Sequence, residues 1–97
     1  MGHFELSEQA ASDLEAIYIY TLVHFGDNQA DTYFKNLDKQ FTYLAQHPEL
    51  GSLYTDIQPS YRRYVYQRHA IYYRVMPNSV FIARLLHTKQ DPGRHLL

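Results

Sequence analysis

The sequence predicts an α/β fold of the α+β kind: an antiparallel helix hairpin packed on an antiparallel sheet of three to four strands, with a short N-terminal strand at the sheet edge. Three observations predict it. Apolar residues recur at spacings of three and four through the first half of the chain, in two runs separated by Gly26-Asp27-Asn28. Beyond Ser60 the composition changes to tyrosine, valine, isoleucine and arginine in short runs with strand character. Neither layer could bury its apolar face alone, so the helices must cover the sheet.

The elements follow in order. His3 to Leu6 is a short extended stretch that joins the sheet at an edge. Ser7 stands where a helix N-cap belongs, with Glu8 in the first turn on the favourable side of the helix dipole. Ala10, Leu14, Ile17, Tyr18, Thr21 and Phe25 form one buried stripe that ends at Gly26, a residue suited to the position just past a helix. Asp27 or Asn28 can cap a second helix, whose stripe is Ala30, Tyr33, Phe34, Leu37, Phe41 and Leu44. His47-Pro48 stops it, because the residue before a proline is pushed out of the helical region. So short a connection between the helices makes them an antiparallel hairpin.

Pro48 to Ser60 has turn chemistry at Pro48-Glu49-Leu50-Gly51 and Asp56-Ile57-Gln58-Pro59 but no period, and reads as a loop crossing to the sheet. Three strands follow, Tyr61 to Gln67, Ala70 to Val75 and Val80 to His87, with Pro77-Asn78-Ser79 as a hairpin turn. Alternation puts Ile71, Tyr73 and Val75 on the helix side, and Tyr72 and Arg74 on the other. In the last strand it puts Val80, Ile82, Arg84 and Leu86 on one face and Phe81, Ala83, Leu85 and His87 on the other. Both are apolar, as in a central strand with one face against the helices and the other partly open to a partner.

A chain of 97 residues has room for one domain, spanning residues 1–97, and one core. Without cysteine it can hold no disulfide, thiol nucleophile or cysteine-ligated zinc, which predicts a reducing, cytoplasmic home. Ala16 to Phe25, the longest mostly apolar stretch, is about half the roughly 20 residues of a membrane span. The first residues show neither the basic nor the apolar region of a signal peptide.

The net charge of −1 conceals a division. Residues 1–56 carry nine acidic and two basic side chains, a net −7, whereas residues 57–97 carry seven basic and one acidic, a net +6. Either the two halves pair with each other in the fold, or the second half meets an acidic partner, protein or nucleic acid. The usual enzyme signatures are missing: no Gly-rich phosphate loop, no H-E-x-x-H and no G-x-S-x-G. His69, His87 and His95 lack the spacing of a zinc site, so no metal is implied.

The informative set is Arg62, Arg63, Arg68, Arg74 and Arg84, interleaved with Tyr64, Tyr66 and Tyr72, which are placed as partner-facing. Guanidinium groups grip phosphates or carboxylates in pairs of hydrogen bonds, and rings between them stack on bases or on apolar peptide. Two classes fit: a small protein that binds an acidic protein partner, and an RNA-cleaving enzyme using arginine and histidine. Cleavage needs a base, an acid and charge stabilisers converging on one phosphodiester, whereas Arg84 and His87 fall on opposite faces of a regular strand. Arg74 and Arg84 sit on strands whose apolar neighbours already supply the core, and the tail from Lys89 to Leu97 has too little pattern for a core element, so all are expected to serve a partner more than the fold, with Arg84→Ala costing about 0.5–1 kcal/mol.

Leu6-Ser7 opening an acidic helix, Gly26-Asp27-Asn28-Gln29-Ala30, His47-Pro48-Glu49-Leu50-Gly51, Tyr61-Arg62-Arg63, the run Arg68 to Val75, and Ala83-Arg84-Leu85-Leu86-His87 followed by Asp91-Pro92 together resemble the ParE toxins of the RelE/ParE superfamily. The resemblance covers nearly the whole chain. It implies a bacterial, cytoplasmic toxin of a type II toxin–antitoxin system, neutralised in a hetero-oligomer by a ParD-like antitoxin. It also implies growth arrest through binding of DNA gyrase rather than catalysis, with no cofactor and no sequence-specific nucleic-acid binding by the toxin alone. The RelE branch instead cleaves messenger RNA on the ribosome. Arg84 matches one RelE-like arginine and His87 lies near a catalytic histidine of some relatives, but the lysine-rich set and C-terminal tyrosine of that branch are missing, and Thr88-Lys89-Gln90 follows His87. That departure favours gyrase, with messenger RNA cleavage the alternative. The resemblance therefore gives no catalytic residues, and the candidates for binding target or antitoxin are Arg62, Arg63, Arg68, Tyr72, Arg74, Arg84, His87, Lys89 and Arg94.

Overall fold

A computed structural model describes residues 3–55 and 58–96; Asp56 and Ile57 of the expected turn and Leu97 of the tail lie outside the described residues. Strand β1 (His3–Leu6) leads into helices α1 (Glu8–Phe25) and α2 (Asp27–Gln46). A 3₁₀ turn over Pro48–Leu50 is followed by β2 (Ser52–Leu53), β3 (Tyr61–Tyr66), β4 (His69–Val75), β5 (Ser79–His87) and a short helix α3 (Pro92–Leu96). The expected mixed fold is present, but the sheet has five strands, ordered β1-β5-β4-β3-β2. The extra strand, β2, is two residues long and lies in the segment read as loop. β1 does take an edge, pairing parallel with β5 from His3↔Ser79 to Leu6↔Ile82. The other pairs are antiparallel.

Ser7 joins helix to sheet. Its hydroxyl accepts the Ala10 N–H at 2.9 Å as an N-cap and donates to the Ala83 carbonyl at 2.7 Å, while its own N–H donates to Ile82 at 2.9 Å. At the other end of α1, Gly26 alone separates the helices, so neither Asp27 nor Asn28 acts as the cap. A φ of 91° at Gly26 makes this abrupt reversal possible without the steric penalty of a Cβ. Phe25, assigned by spacing to the core, is 52% exposed.

The main core lies between hairpin and sheet: Ala10, Leu37, Phe41, Leu44 and Ala45 from the helices meet Ile71, Tyr73, Val80, Ile82 and Leu85 from the strands. Regular alternation fails in β5. Tyr72 pairs with Arg84 but Tyr73 with Ile82, so Ala83 is an extra residue and a β-bulge. The bulge turns Leu85 to the helices together with Val80 and Ile82, and leaves Phe81, Arg84 and Leu86 on the far face, which corrects the face assignment made from alternation. Tyr64 and Tyr66 pack against the helix-side core rather than facing a partner.

The far face is not fully open. Asp91 Oδ1 accepts the Gly93 N–H at 3.0 Å and caps α3, whose Leu96 packs on Ala70, Tyr72 and Leu86, with Tyr54 and Tyr61 at the margin. The tail thus contributes to packing, contrary to its lack of pattern. No helix among the described residues is long and apolar enough to cross a membrane.

Candidate functional site

Cross-strand register assembles the arginines and tyrosines of the far face into two rows. Tyr61, Arg74 and Phe81 lie side by side across β3, β4 and β5, and Arg63, Tyr72 and Arg84 form the next row. In the first row the Arg74 guanidinium carbon stands 5.0 Å from the Phe81 ring centroid, a cation–π contact, and its buried Nε has no hydrogen-bond acceptor. In the second row Arg63 Nε donates to the Tyr72 hydroxyl at 3.0 Å with its guanidinium 5.9 Å from that ring. Tyr61, Arg63, Arg74 and Phe81 thus form a partly exposed surface of alternating cation and ring, with exposed Val65 on the same side of β3. Tyr72 itself is only 2% exposed, against Tyr54 and Leu96, so its expected place as a partner-facing side chain is corrected.

Arg84 is committed to the fold. Its Nε and second terminal nitrogen donate to the two Asp13 oxygens at 2.8 and 2.9 Å, and its other terminal nitrogen donates to the His95 carbonyl at 2.9 Å. Asp13 also accepts the Leu85 N–H at 3.0 Å. Past Leu6, where β1 ends, Ser7 and Asp13 of the helical segment therefore satisfy β5 backbone groups that no strand covers. The two charged side chains are 15% and 16% exposed, so Arg84 is not the freely available surface cation expected, and its truncation should cost more than about 0.5–1 kcal/mol.

The remaining candidates lie elsewhere. Arg62, on the register of Tyr73, reaches the Gly51 carbonyl at 2.6 Å and so holds β2 to the sheet. Lys89 and Arg94 are exposed in the tail, and Arg94 approaches Asp91 at 3.9 Å. Arg68 and His87 line a groove of about 510 Å³ between α1 and the end of the sheet. His69 and Tyr33 line it too, although spacing gives Tyr33 as a core residue and His69 only as one of three scattered histidines. At its rim Gln67 has a φ of 54°, a left-handed conformation unusual for a side chain of this length.

His69 and His87 are direct cross-strand partners with ring centroids 5.6 Å apart. His87 Nδ1 accepts the Lys89 N–H at 3.1 Å, which puts the proton of the neutral ring on Nε2. A metal at that nitrogen would force the proton onto Nδ1, against another donor, so the His87 geometry disfavours ligation. Burial, then His87 and Arg68, push His69 down to about 4. Its folded form thus deprotonates below the ordinary 6.5, the unfolded chain binds more protons in between, and stability should rise as pH goes from about 4 to 6.5. We expect about 1–2 kcal/mol from this group over that window, less than the full shift implies because the ring is partly solvated. Resonance titration of the His69 ring together with urea melts of the wild type and His69→Gln checks this; a ring titrating near 6.5 overturns it.

Comparison with known proteins agrees with the architecture. A family model described as "ParE toxin of type II toxin-antitoxin system, parDE" matches residues 4–92. Toxin ParE1 of Caulobacter vibrioides is 32% identical over 96 residues, covering 99% of both chains, and Toxin ParE1 of Mycobacterium tuberculosis is 32% identical over 96 residues, covering 98% of both. A solved chain of the chromosomal ParDE TA system from P. aeruginosa has the same fold, with a TM-score of 0.78 at 23% identity over 92% of this chain and 98% of that one. With a family model over most of its length and curated relatives end to end, the chain belongs to the ParE toxins of type II toxin–antitoxin systems.

Proposed function

We propose that the chain arrests growth by binding DNA gyrase, and that a ParD-like antitoxin neutralises it by covering the same surface. The observation that carries this reading is the row Tyr61, Arg74, Phe81, with Arg63 beside it: a cation–ring surface whose Arg74 Nε has no partner. Such a surface suits an acidic segment with apolar side chains that orders as it binds. Binding is favoured over RNA cleavage because Arg84 is held by Asp13 while His87 lies on the other face beside His69, so the two do not converge on one phosphodiester.

Purified toxin is expected to inhibit supercoiling or trap gyrase on cleaved DNA while leaving ribosome-bound message intact. Arg74→Ala should weaken that inhibition at least about tenfold with little change in melting temperature, as for a partly exposed side chain. Calorimetry with the product of the adjacent gene should show tight association with the wild type and weaker association with Arg74→Ala. Ribosome-dependent cleavage with gyrase unaffected would transfer the reading to the RNA-cleaving branch.

A further inference from the structure

The groove between α1 and the end of the sheet has two unlike walls. One is apolar: Ile17, Tyr20 and Phe25 from α1, with Leu85 from β5. The other is built from hydrogen-bond donors. Arg68 is exposed, and among the described residues it has no ion pair. His87 carries its proton on Nε2, as shown by the Lys89 N–H on Nδ1. Tyr33 keeps its proton, since burial and the neighbouring Tyr66 push it up to about 12. Its hydroxyl lies 2.7 Å from His69 Nδ1, a hydrogen bond that occupies that ring nitrogen.

The groove's one carboxylate does not oppose this. Asp13 lines it, but both oxygens are bound by Arg84 and one also takes the Leu85 N–H. What remains is a cleft offering the Arg68 guanidinium and the His87 Nε2–H opposite an aromatic and aliphatic wall, with the His69 ring beside them. An acceptor-rich anion with an apolar body fits both walls, and charge excludes a cationic one.

We propose that this groove is a binding site for a carboxylate-bearing apolar peptide segment, with an aromatic or aliphatic side chain against Tyr20 and Phe25 and the carboxylate on Arg68 and His87. It is separate from the arginine–ring face and depends on neither gyrase nor the antitoxin. The strained Gln67 sits beside Arg68 in the tight turn between β3 and β4 that brings Arg68 to the rim.

The test uses the full chain, isotope-labelled, titrated with N-acetylphenylalanine at neutral pH and, separately, with its uncharged amide. The carboxylate should bind saturably at about millimolar affinity, as expected for so small a ligand, and shift the Arg68 side-chain Nε–H and the His87 ring resonances. The amide should bind at least fivefold more weakly. Arg68→Gln should reduce the carboxylate to the amide's affinity, whereas Arg63→Gln, on the opposite face, should leave it unchanged. Equal affinity for the two probes, no effect of Arg68→Gln in a variant with native melting, or shifts confined to Arg63 and Arg74 would each overturn the proposal.

Discussion

Asp13→Ala should destabilise the protein by about 2–4 kcal/mol, more than any surface change in the tail, because one carboxylate satisfies two separate needs. It neutralises a guanidinium that is mostly withdrawn from water, and it accepts the Leu85 N–H on the stretch of β5 that β1 does not reach. Removing it leaves the guanidinium with only the His95 carbonyl and no counter-ion, and the Leu85 N–H without its acceptor. Asp13→Asn keeps an acceptor for Leu85 but loses the two-pronged ionic contact, so it should fall between wild type and alanine. Urea unfolding of these variants, with Arg84→Ala and the double variant closing a thermodynamic cycle, measures the coupling. A loss below about 0.5 kcal/mol for Asp13→Ala would mean that water substitutes freely at this site.

The second large effect is expected at Gly51. Its φ of −71° suits any residue, so the requirement for glycine is one of space. A Cβ there would lie 2.6 Å from the Tyr73 hydroxyl oxygen, 2.7 Å from the adjoining ring carbon and 3.0 Å from the Arg63 carbonyl. Tyr73 cannot step aside, because it is fully buried, accepts the Gly51 N–H at 2.9 Å and donates to the Pro48 carbonyl at 2.5 Å. Gly51→Ala should therefore cost about 3 kcal/mol, combining overpacking with the loss of one or both hydrogen bonds. Tyr73→Phe relieves the hydroxyl contact but forfeits both bonds, and should cost about 1–2 kcal/mol. Thermal melting separates the cases: an alanine variant as stable as wild type would show that the ring and the Pro48–Gly51 segment move apart easily.

Periodicity made the helices legible, since Ser7, the stripes through Leu37 and Phe41, and His47-Pro48 are local signals. The three long strands were legible through their composition, and the edge position of His3 to Leu6 through its shortness. β2 was not, because two residues cannot show alternation. Nor was the bulge at Ala83: alternation cannot reveal an extra residue when both neighbouring registers are apolar, and from this one feature follow the true faces of Leu85 and Leu86. The arginine–tyrosine set was visible as composition, but its division was not. Arg84 finds Asp13 71 positions away, Arg62 turns to Gly51, and Tyr72 is covered by Leu96, all consequences of tertiary packing. The bond between Tyr33 and His69 was hidden for the same reason, since it joins a helix to a strand 36 positions later.

The pairing of β1 with β5 also governs when the molecule can exist. His3 meets Ser79, so β1 waits for a strand made 76 positions later. At about 5–20 residues per second of synthesis, that wait is about 4–15 s, during which Phe4 and Leu6 and the apolar side of the hairpin have no sheet to cover. The helices can form early, but their interior closes only once β5 is available. Closing so long a loop costs entropy before its contacts repay it, so this pairing forms after the local hairpins. Surfaces that depend on the finished sheet, the arginine–ring rows and the groove among them, arise together and late. A partner that recognises either one therefore meets a finished sheet and not a partly assembled one.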